Sequence, residues 1–223
     1  MRLRSTTTLA LLAALSLPAC GDAANHDAAT NTGAVKQKAA SADNADLRTA
    51  VFAGGCFWCM EQAFEEIDGV VGVTSGYTGG EVPNPSYEQV SHGVTGHVEA
   101  VRVRFDPGQV SYKTLLQNFW HNVDPTDARG QFCDHGSSYR STIFAQNKQQ
   151  RRLALASRKK LEADPDAPSP IVTKIRDKTP FYPAEDYHQD YYKKNPLRYH
   201  YYRYACGRVQ RLEELWGKQA GKP

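Results

Sequence analysis

Two cysteines separated by two residues follow a pair of glycines in Gly54-Gly55-Cys56-Phe57-Trp58-Cys59-Met60-Glu61. The thiolate is the nucleophilic form of cysteine. A sulfur placed where a strand hands over to a helix meets unpaired backbone N–H groups and the positive end of the helix dipole, and both favour ionisation. The local pattern predicts that place for Cys56, because Thr49 to Ala53 is a short apolar run and Phe57, Met60, Phe64 and Ile67 then recur at the helical period. Glycines at 54 and 55 allow a sharp turn and leave the sulfur approachable. Phe57 belongs to the apolar stripe. Trp58 shares the polar side with Glu61, Gln62 and Glu65, so an accessible indole is expected as one wall of a small apolar pocket beside the thiol.

A thiol nucleophile gains most from a proton donor facing it, and Glu99 is the candidate. In the strand pattern from His97 to Phe105, the residues His97, Glu99, Val101, Val103 and Phe105 share one face, with Arg102 and Arg104 on the other. Glu99 therefore points with the core, where burial disfavours the carboxylate and keeps a general acid protonated near neutrality. A third group of reactive residues lies in Gln131-Phe132-Cys133-Asp134-His135-Gly136-Ser137-Ser138-Tyr139-Arg140, a loop ahead of a strand. Cys56, Cys59, Cys133 and His135 also admit a zinc site, although the second half lacks a paired ligand spacing.

These blocks together resemble peptide methionine sulfoxide reductase A. The G-C-F-W run at residues 55–58 is accompanied by Gly76-Tyr77-Thr78-Gly79-Gly80, Pro83-Asn84-Pro85-Ser86-Tyr87, Gly96-His97-Val98-Glu99-Ala100-Val101, Asp134-His135-Gly136 with Tyr139-Arg140, and Ala184-Glu185-Asp186-Tyr187-His188-Gln189, in that family's order. The resemblance runs from about Thr49 to Trp216. It implies that Cys56 attacks the sulfoxide sulfur and that Glu99 protonates its oxygen. It further implies that Tyr87, Tyr139 and Asp134 hold that oxygen or an ordered water, and that Phe57 and Trp58 seat the S-methyl group. The implied substrate is the S epimer of methionine sulfoxide, free or in oxidised proteins. The resulting Cys56 sulfenic acid is expected to condense with a second thiol, and a thioredoxin-type dithiol protein to restore the thiols, with no bound cofactor and no metal. Cys206, in Tyr204-Ala205-Cys206-Gly207 of a mobile-looking tail, is the expected resolving residue, with Cys59 and Cys133 as alternatives. The rival chemistry is a thioredoxin-like thiol–disulfide oxidoreductase, since C-x-x-C opening a helix after a strand is also that arrangement.

The elements that must position these groups are short strands interleaved with helices. Strands are expected at 70–77, 97–105, 140–145 and 171–175, and helices at 111–123 and 147–163. This alternation predicts an α+β two-layer sandwich with a ferredoxin-like βαββαβ core and helices on one face of the sheet. Eight of the twelve tyrosines fall between Tyr182 and Tyr204, among Pro180, Pro183 and Pro196. That stretch reads as a coil-rich C-terminal tail whose amphipathic rings pack onto the domain.

The chain's 223 residues divide into residues 1–19, a signal peptide with Arg2 and Arg4 before an apolar run; residues 20–46, a polar tether; and residues 47–223, the catalytic domain. Leu17-Pro18-Ala19-Cys20-Gly21 resembles a lipobox, so Cys20 is expected to carry lipid and to anchor the protein to a membrane on the periplasmic side of the cell envelope. Loss of residues 1–19 removes Arg2 and Arg4 and no acid, which takes the formal net charge from +3 to +1. A near-neutral domain without basic runs gives no electrostatic case for nucleic acid, and it is expected to act as a monomer.

Overall fold

The computed structural model describes residues 46–222. The expected signal peptide, Cys20 and nearly all of the tether lie outside the described residues. In chain order the elements are β1 (Arg48–Ala53), α1 (Phe57–Glu65), β2 (Val70–Thr78), α2 (Tyr87–Ser91), β3 (Val98–Phe105) and α3 (Tyr112–His121). They continue with β4 (Gly130–Gln131), β5 (Asp134–His135), β6 (Thr142–Ala145), α4 (Lys148–Glu162), β7 (Lys174–Asp177) and β8 (Phe181–Pro183). Three helices close the domain: α5 (Tyr191–Lys194), α6 (Pro196–Ala205) and α7 (Arg208–Trp216).

Six strands form a mixed sheet in the order β7-β6-β1-β3-β2-β8, while β4 and β5 make a separate ribbon. Every ladder of the large sheet is antiparallel except β6 with β7. Period-2 alternation sorts β1 cleanly. Ala50 and Phe52 enter the main core with Phe57, Met60 and Phe64 of α1 and Leu115, Leu116 and Phe119 of α3, whereas Val51 and Ala53 join a smaller cluster on the opposite face. Phe52 stacks between Phe64 at 4.8 Å and Phe119 at 5.3 Å, which ties the first strand to both helices. The helix starts obey their caps: Ser86, Ser111 and Asn147 each accept a hydrogen bond from the backbone N–H three residues on. The architecture is thus a mixed sheet with helices, an α+β fold.

Two expectations are corrected. The last strand of the domain core lies at Lys174–Asp177 rather than at 171–175, because it pairs in parallel with β6 from Thr142↔Lys174 onward and only Ile175 faces inward. The C-terminal tail is more helical than expected: beyond the short helical stretch anticipated near Leu212 to Trp216, which falls in α7, it also forms α5 and α6. Pro196 sits in the first turn of α6, where its missing N–H costs nothing. Tyr191 and Tyr199, uncounted in an apolar periodicity, bury against Cys59 and Trp58 of α1.

Candidate active site

Cys56 caps α1 with non-helical φ −50° and ψ 118°, immediately after Gly55 at φ +82°. A Cβ at Gly55 would lie 2.6 Å from Gln131 Cβ, so glycine is required both for the turn and for the close approach of the 130–135 segment. Cys56 is 6% exposed. Its ionisation differs from the sequence expectation: burial pushes the Cys56 thiol up, and so do its hydrogen bond to Cys59 and the nearby Glu99 and Asp134 carboxyls. The helix N-terminus does not offset this, because the first free N–H, that of Phe57, donates to Glu99 Oε2 at 3.0 Å instead of facing the sulfur. Cys59 takes the opposite sense. The hydrogen bond from Cys56, the Arg208 guanidinium, the Tyr199 hydroxyl and Arg203 together outweigh its burial and hold it down to about 6. The two shifts belong to one coupled pair, in which Cys59 is drawn toward the thiolate and Cys56 toward the thiol.

Glu99 stands across from this pair, 3% exposed, and burial raises its carboxyl to about 8 against the pull of the Phe57 N–H. Asp134 adds to the rise, so Glu99 is a protonated acid at neutrality. The Tyr87 and Tyr139 hydroxyls are both pushed up, chiefly by burial, with Glu99 and Cys56 adding to the rise in each. Asp134 accepts from the Tyr202 hydroxyl, and burial raises its own carboxyl. The structure thus brings Cys56, Tyr87, Glu99 and the loop pair Asp134 and Tyr139 to one place from four separate segments of chain.

Phe57 is buried and Trp58 is half-buried rather than freely accessible. The polar side of α1 on which Trp58 sits is roofed by the C-terminal helices: the indole stacks on Tyr191 at 3.7 Å and donates to His188 Nδ1 at 3.1 Å. His188 in turn lies 4.9 Å from the Phe57 ring and 4.4 Å from that of Tyr87. Glu185 accepts from the Tyr77 hydroxyl at 2.7 Å and from the Tyr87 backbone at 2.9 Å. Reasoning on residue types alone missed His188, Glu185, Tyr199, Tyr202 and Arg208. The block Ala184–Gln189 carried a signal for the first two, and the helical spacing of Tyr199 and Tyr202 could have revealed the others.

Arg208 is 2% exposed and is held by the Asn122 carbonyl at 2.6 Å and by the Phe132 ring, its guanidinium 4.4 Å from the centroid. No carboxylate is paired with it among the described ion pairs. Its charge is therefore left to act on Cys59 and Asp134. Replacing it is expected to move Cys59 back toward an ordinary thiol: in Arg208→Met the ultraviolet thiolate signal should appear about one pH unit or more higher than in the parent chain. Arg208→Lys, which keeps a cation, should recover most of the difference.

Cys206 does not sit against Cys56. It closes the C-terminal end of α6 and forms a disulfide with Cys133, with Cα atoms 4.9 Å apart, while Cys56 and Cys59 are free thiols. The four-ligand grouping of Cys56, Cys59, Cys133 and His135 is not assembled; the one possible metal-ligand cluster among the described residues is Cys133, Asp134 and Cys206, two of whose sulfurs are bonded to each other. A cavity of about 800 Å³ lies away from these groups, between α3, α4 and residues 215–219, and is lined by no thiol.

Residues 48–220 match the family pattern described as peptide methionine sulfoxide reductase. The chain is 54% identical over 171 residues to a peptide methionine sulfoxide reductase MsrA of Limosilactobacillus reuteri, covering 76% of this chain and 97% of that protein. It is 52% identical over 170 residues to the MsrA of Bacillus licheniformis, covering 76% and 94%. Among solved structures it is similar to methionine sulfoxide reductase A of Corynebacterium diphtheriae, with a TM-score of 0.61 and 34% identity over 68% of this chain and 76% of the other. It is also similar to Mxr1 from Saccharomyces cerevisiae in reduced form, with a TM-score of 0.64 and 31% identity over 67% and 86%. A buried thiol pair facing a protonated glutamic acid suits oxygen transfer from sulfur better than disulfide exchange with a protein substrate, which disfavours the thioredoxin-like reading. With this agreement of chemistry, sequence and structure, the chain belongs to the peptide methionine sulfoxide reductase A family and is an oxidoreductase that reduces methionine sulfoxide to methionine.

Proposed function

We propose that Cys56 is the nucleophile of this reduction, Glu99 its general acid and Cys59 the thiol that first resolves it. The observation that carries the reading is geometric: the free Cys56 starts α1 with the free Cys59 one turn on, and the buried Glu99 carboxyl accepts from the adjacent Phe57 N–H at 3.0 Å. Sulfoxide sulfur becomes electrophilic as its oxygen is protonated, so Glu99 gives its proton to that oxygen while Cys56 passes its own to Cys59 and attacks. The S–O bond breaks, methionine leaves with two electrons more, and the oxygen ends on Cys56 as a sulfenic acid. Cys59 then displaces that oxygen as water, forming a Cys56–Cys59 disulfide. Cys59 is favoured over Cys206 for this step because it already touches Cys56. Tyr87, Tyr139 and Asp134 would hold the oxygen, and Phe57 and Trp58 the methyl group.

The preference for the S epimer, action on both free and protein-bound methionine sulfoxide, and recycling by a thioredoxin-type dithiol belong to the same proposal and are supported by the resemblance of the motifs. So does a ferredoxin-like βαββαβ core, which the order β6-β1-β3-β2 with intervening α1 and α3 supports. We further propose that residues 1–19 are a signal peptide, that Cys20 bears a lipid anchor, and that the following tether holds the domain at the cell envelope, on the strength of the lipobox-like run ending at Cys20. Resolved sulfoxide epimers decide the catalytic part. Pre-reduced enzyme should form methionine from the S epimer alone, and Cys59→Ser should accumulate a sulfenic acid that a carbon nucleophile traps. Equal use of both epimers, or a trap that labels a residue other than Cys56, would refute it.

A further inference from the structure

We infer that the outer face of α4 is a docking surface for a bilayer of anionic phospholipids. The inference goes beyond the catalytic reading, and it takes from the proposed lipid anchor only the nearness of a membrane.

Charge is divided unevenly along the domain. Residues 148–178 carry nine lysines and arginines against four acids, a net +5, whereas the rest of the chain from Leu47 onward carries fourteen against sixteen, a net −2. The near-neutral total hides this separation because the two parts largely cancel. A basic segment of this kind attracts anionic partners through its local field, whatever the charge of the whole.

Helical geometry then sorts the bases. Gln150 and Ala154 are buried, with Leu153 and Leu161 packed against the core beside them. Lys148, Arg152, Leu155 and Lys159, spaced i, i+4, i+7 and i+11, therefore form the outward stripe, and all four are exposed. Arg151 and Arg158 lie to one side of it, each held by a carboxylate, Asp177 at 3.0 Å and Glu162 at 3.1 Å. Lys160 lies to the other side and, with Lys113 of α3, lines the cavity there. No carboxylate is paired with Lys148, Arg152 or Lys159 among the described ion pairs. The outward charges of the stripe are thus left for something outside the domain.

Leu155 distinguishes a bilayer from other anionic partners. It is 42% exposed in the middle of the stripe. A bilayer surface takes both kinds of side chain, cations at the phosphates and an apolar group just beneath them, with the Lys and Arg stems adding apolar contact. No aromatic residue on α4 offers a base of single-stranded nucleic acid a ring to stack on. Position points the same way. Gln150 Nε2 donates to the Thr49 carbonyl at 2.7 Å, and the exposed Arg48 lines a cleft with Asn147 and Gln149. The first strand therefore enters the domain beside the first turn of α4, the end at which a tether to a membrane would pull. α4 packs against α3, β6 and β7 and supplies no residue of the active site. Covering its outer face leaves those residues their own route to substrate.

Vesicle binding tests the face without the anchor. The chain from residue 20 onward with Cys20→Ser keeps every described element and cannot be acylated. It should sediment with phosphatidylcholine vesicles containing about one-third phosphatidylglycerol at about 0.05 M salt, and not with pure phosphatidylcholine. Raising the salt to about 0.5 M should release most of it. Lys148→Gln/Arg152→Gln/Lys159→Gln should bind the anionic vesicles about 100-fold more weakly, since each base near such a surface is worth about fivefold. The same variant should reduce methionine sulfoxide in solution within about twofold of the parent, because the three positions are exposed. Leu155→Asn, which keeps every charge, should weaken vesicle binding about threefold or more. Equal binding to neutral vesicles, or undiminished binding by the triple variant, overturns the inference. Tighter retention on duplex DNA than on the anionic vesicles, lost in the triple variant, would make the partner a nucleic acid and overturn the bilayer. An unacylated Cys20 in full chain recovered from bacterial membranes would refute the proposed anchor instead, and the vesicle result stands apart from it.

Discussion

Cys56→Ser is expected to form methionine at least about 10⁴-fold more slowly than the parent chain, with no burst in a single turnover, because loss of a nucleophile removes the covalent route entirely. The hydroxyl differs from the thiol by one atom in a site that the Gly55 turn already shapes, so the fold should persist. Cys59, although ionised, cannot substitute for the missing sulfur. It lies one turn into α1 beneath Tyr191 and Tyr199, and the Glu99 acid is hydrogen-bonded at the helix start beside Cys56, through the Phe57 N–H. Rapid-quench measurement of methionine per chain checks this. A full burst from Cys56→Ser would mean that Cys59 carries the chemistry and that the assignment of roles is inverted.

Glu99→Gln should cost about 10²–10⁴-fold in turnover, the ordinary worth of a general acid. Glutamine keeps the shape and can still accept from the Phe57 N–H, so the loss reports the proton rather than the packing. The pH profile gives the sharper readout. Glu99 acts in its protonated form and holds its proton up to about 8, so parent activity falls as pH rises through that value. Cys59 acts as the thiolate and is held down to about 6, so activity also falls as pH drops through that value. The parent should therefore show a bell with limbs near 6 and 8, and Glu99→Gln should lose the alkaline limb while keeping the acid one. An unchanged alkaline limb in the variant would transfer the proton donation to another group, with the Tyr87 and Tyr139 hydroxyls as the next candidates.

The strand–turn–helix around Cys56 was legible because apolar period and glycine placement act within a dozen residues. The inward face of Glu99 was legible for a similar reason: alternation along β3 puts it with Val101, Val103 and Phe105, which do enter the core. Thr49 to Ala53 became β1 almost residue for residue. Trp58 shows where local reasoning stops. Its neighbours on α1 are polar, yet helices more than 130 residues later cover it, and no window of sequence contains that fact. The tail itself was misread because tyrosine and proline are poor markers of a helix, whereas burial of Tyr191 and Tyr199 decides the matter in three dimensions.

The sequence by itself determined that Cys56 follows a strand-to-helix turn and that Glu99 lies on the inward face of a strand, since these follow from residue type and short-range period. Tertiary structure alone decided how the protons and electrons are distributed among them. Burial raises the Cys56 thiol, while the neighbouring sulfur and the Arg208 charge draw Cys59 down. The meeting of α6 with the 130–135 loop joins Cys206 to Cys133, 73 positions apart in the chain. Electrostatic effects and sulfur–sulfur contact depend on distance through space, and only the folded chain sets those distances.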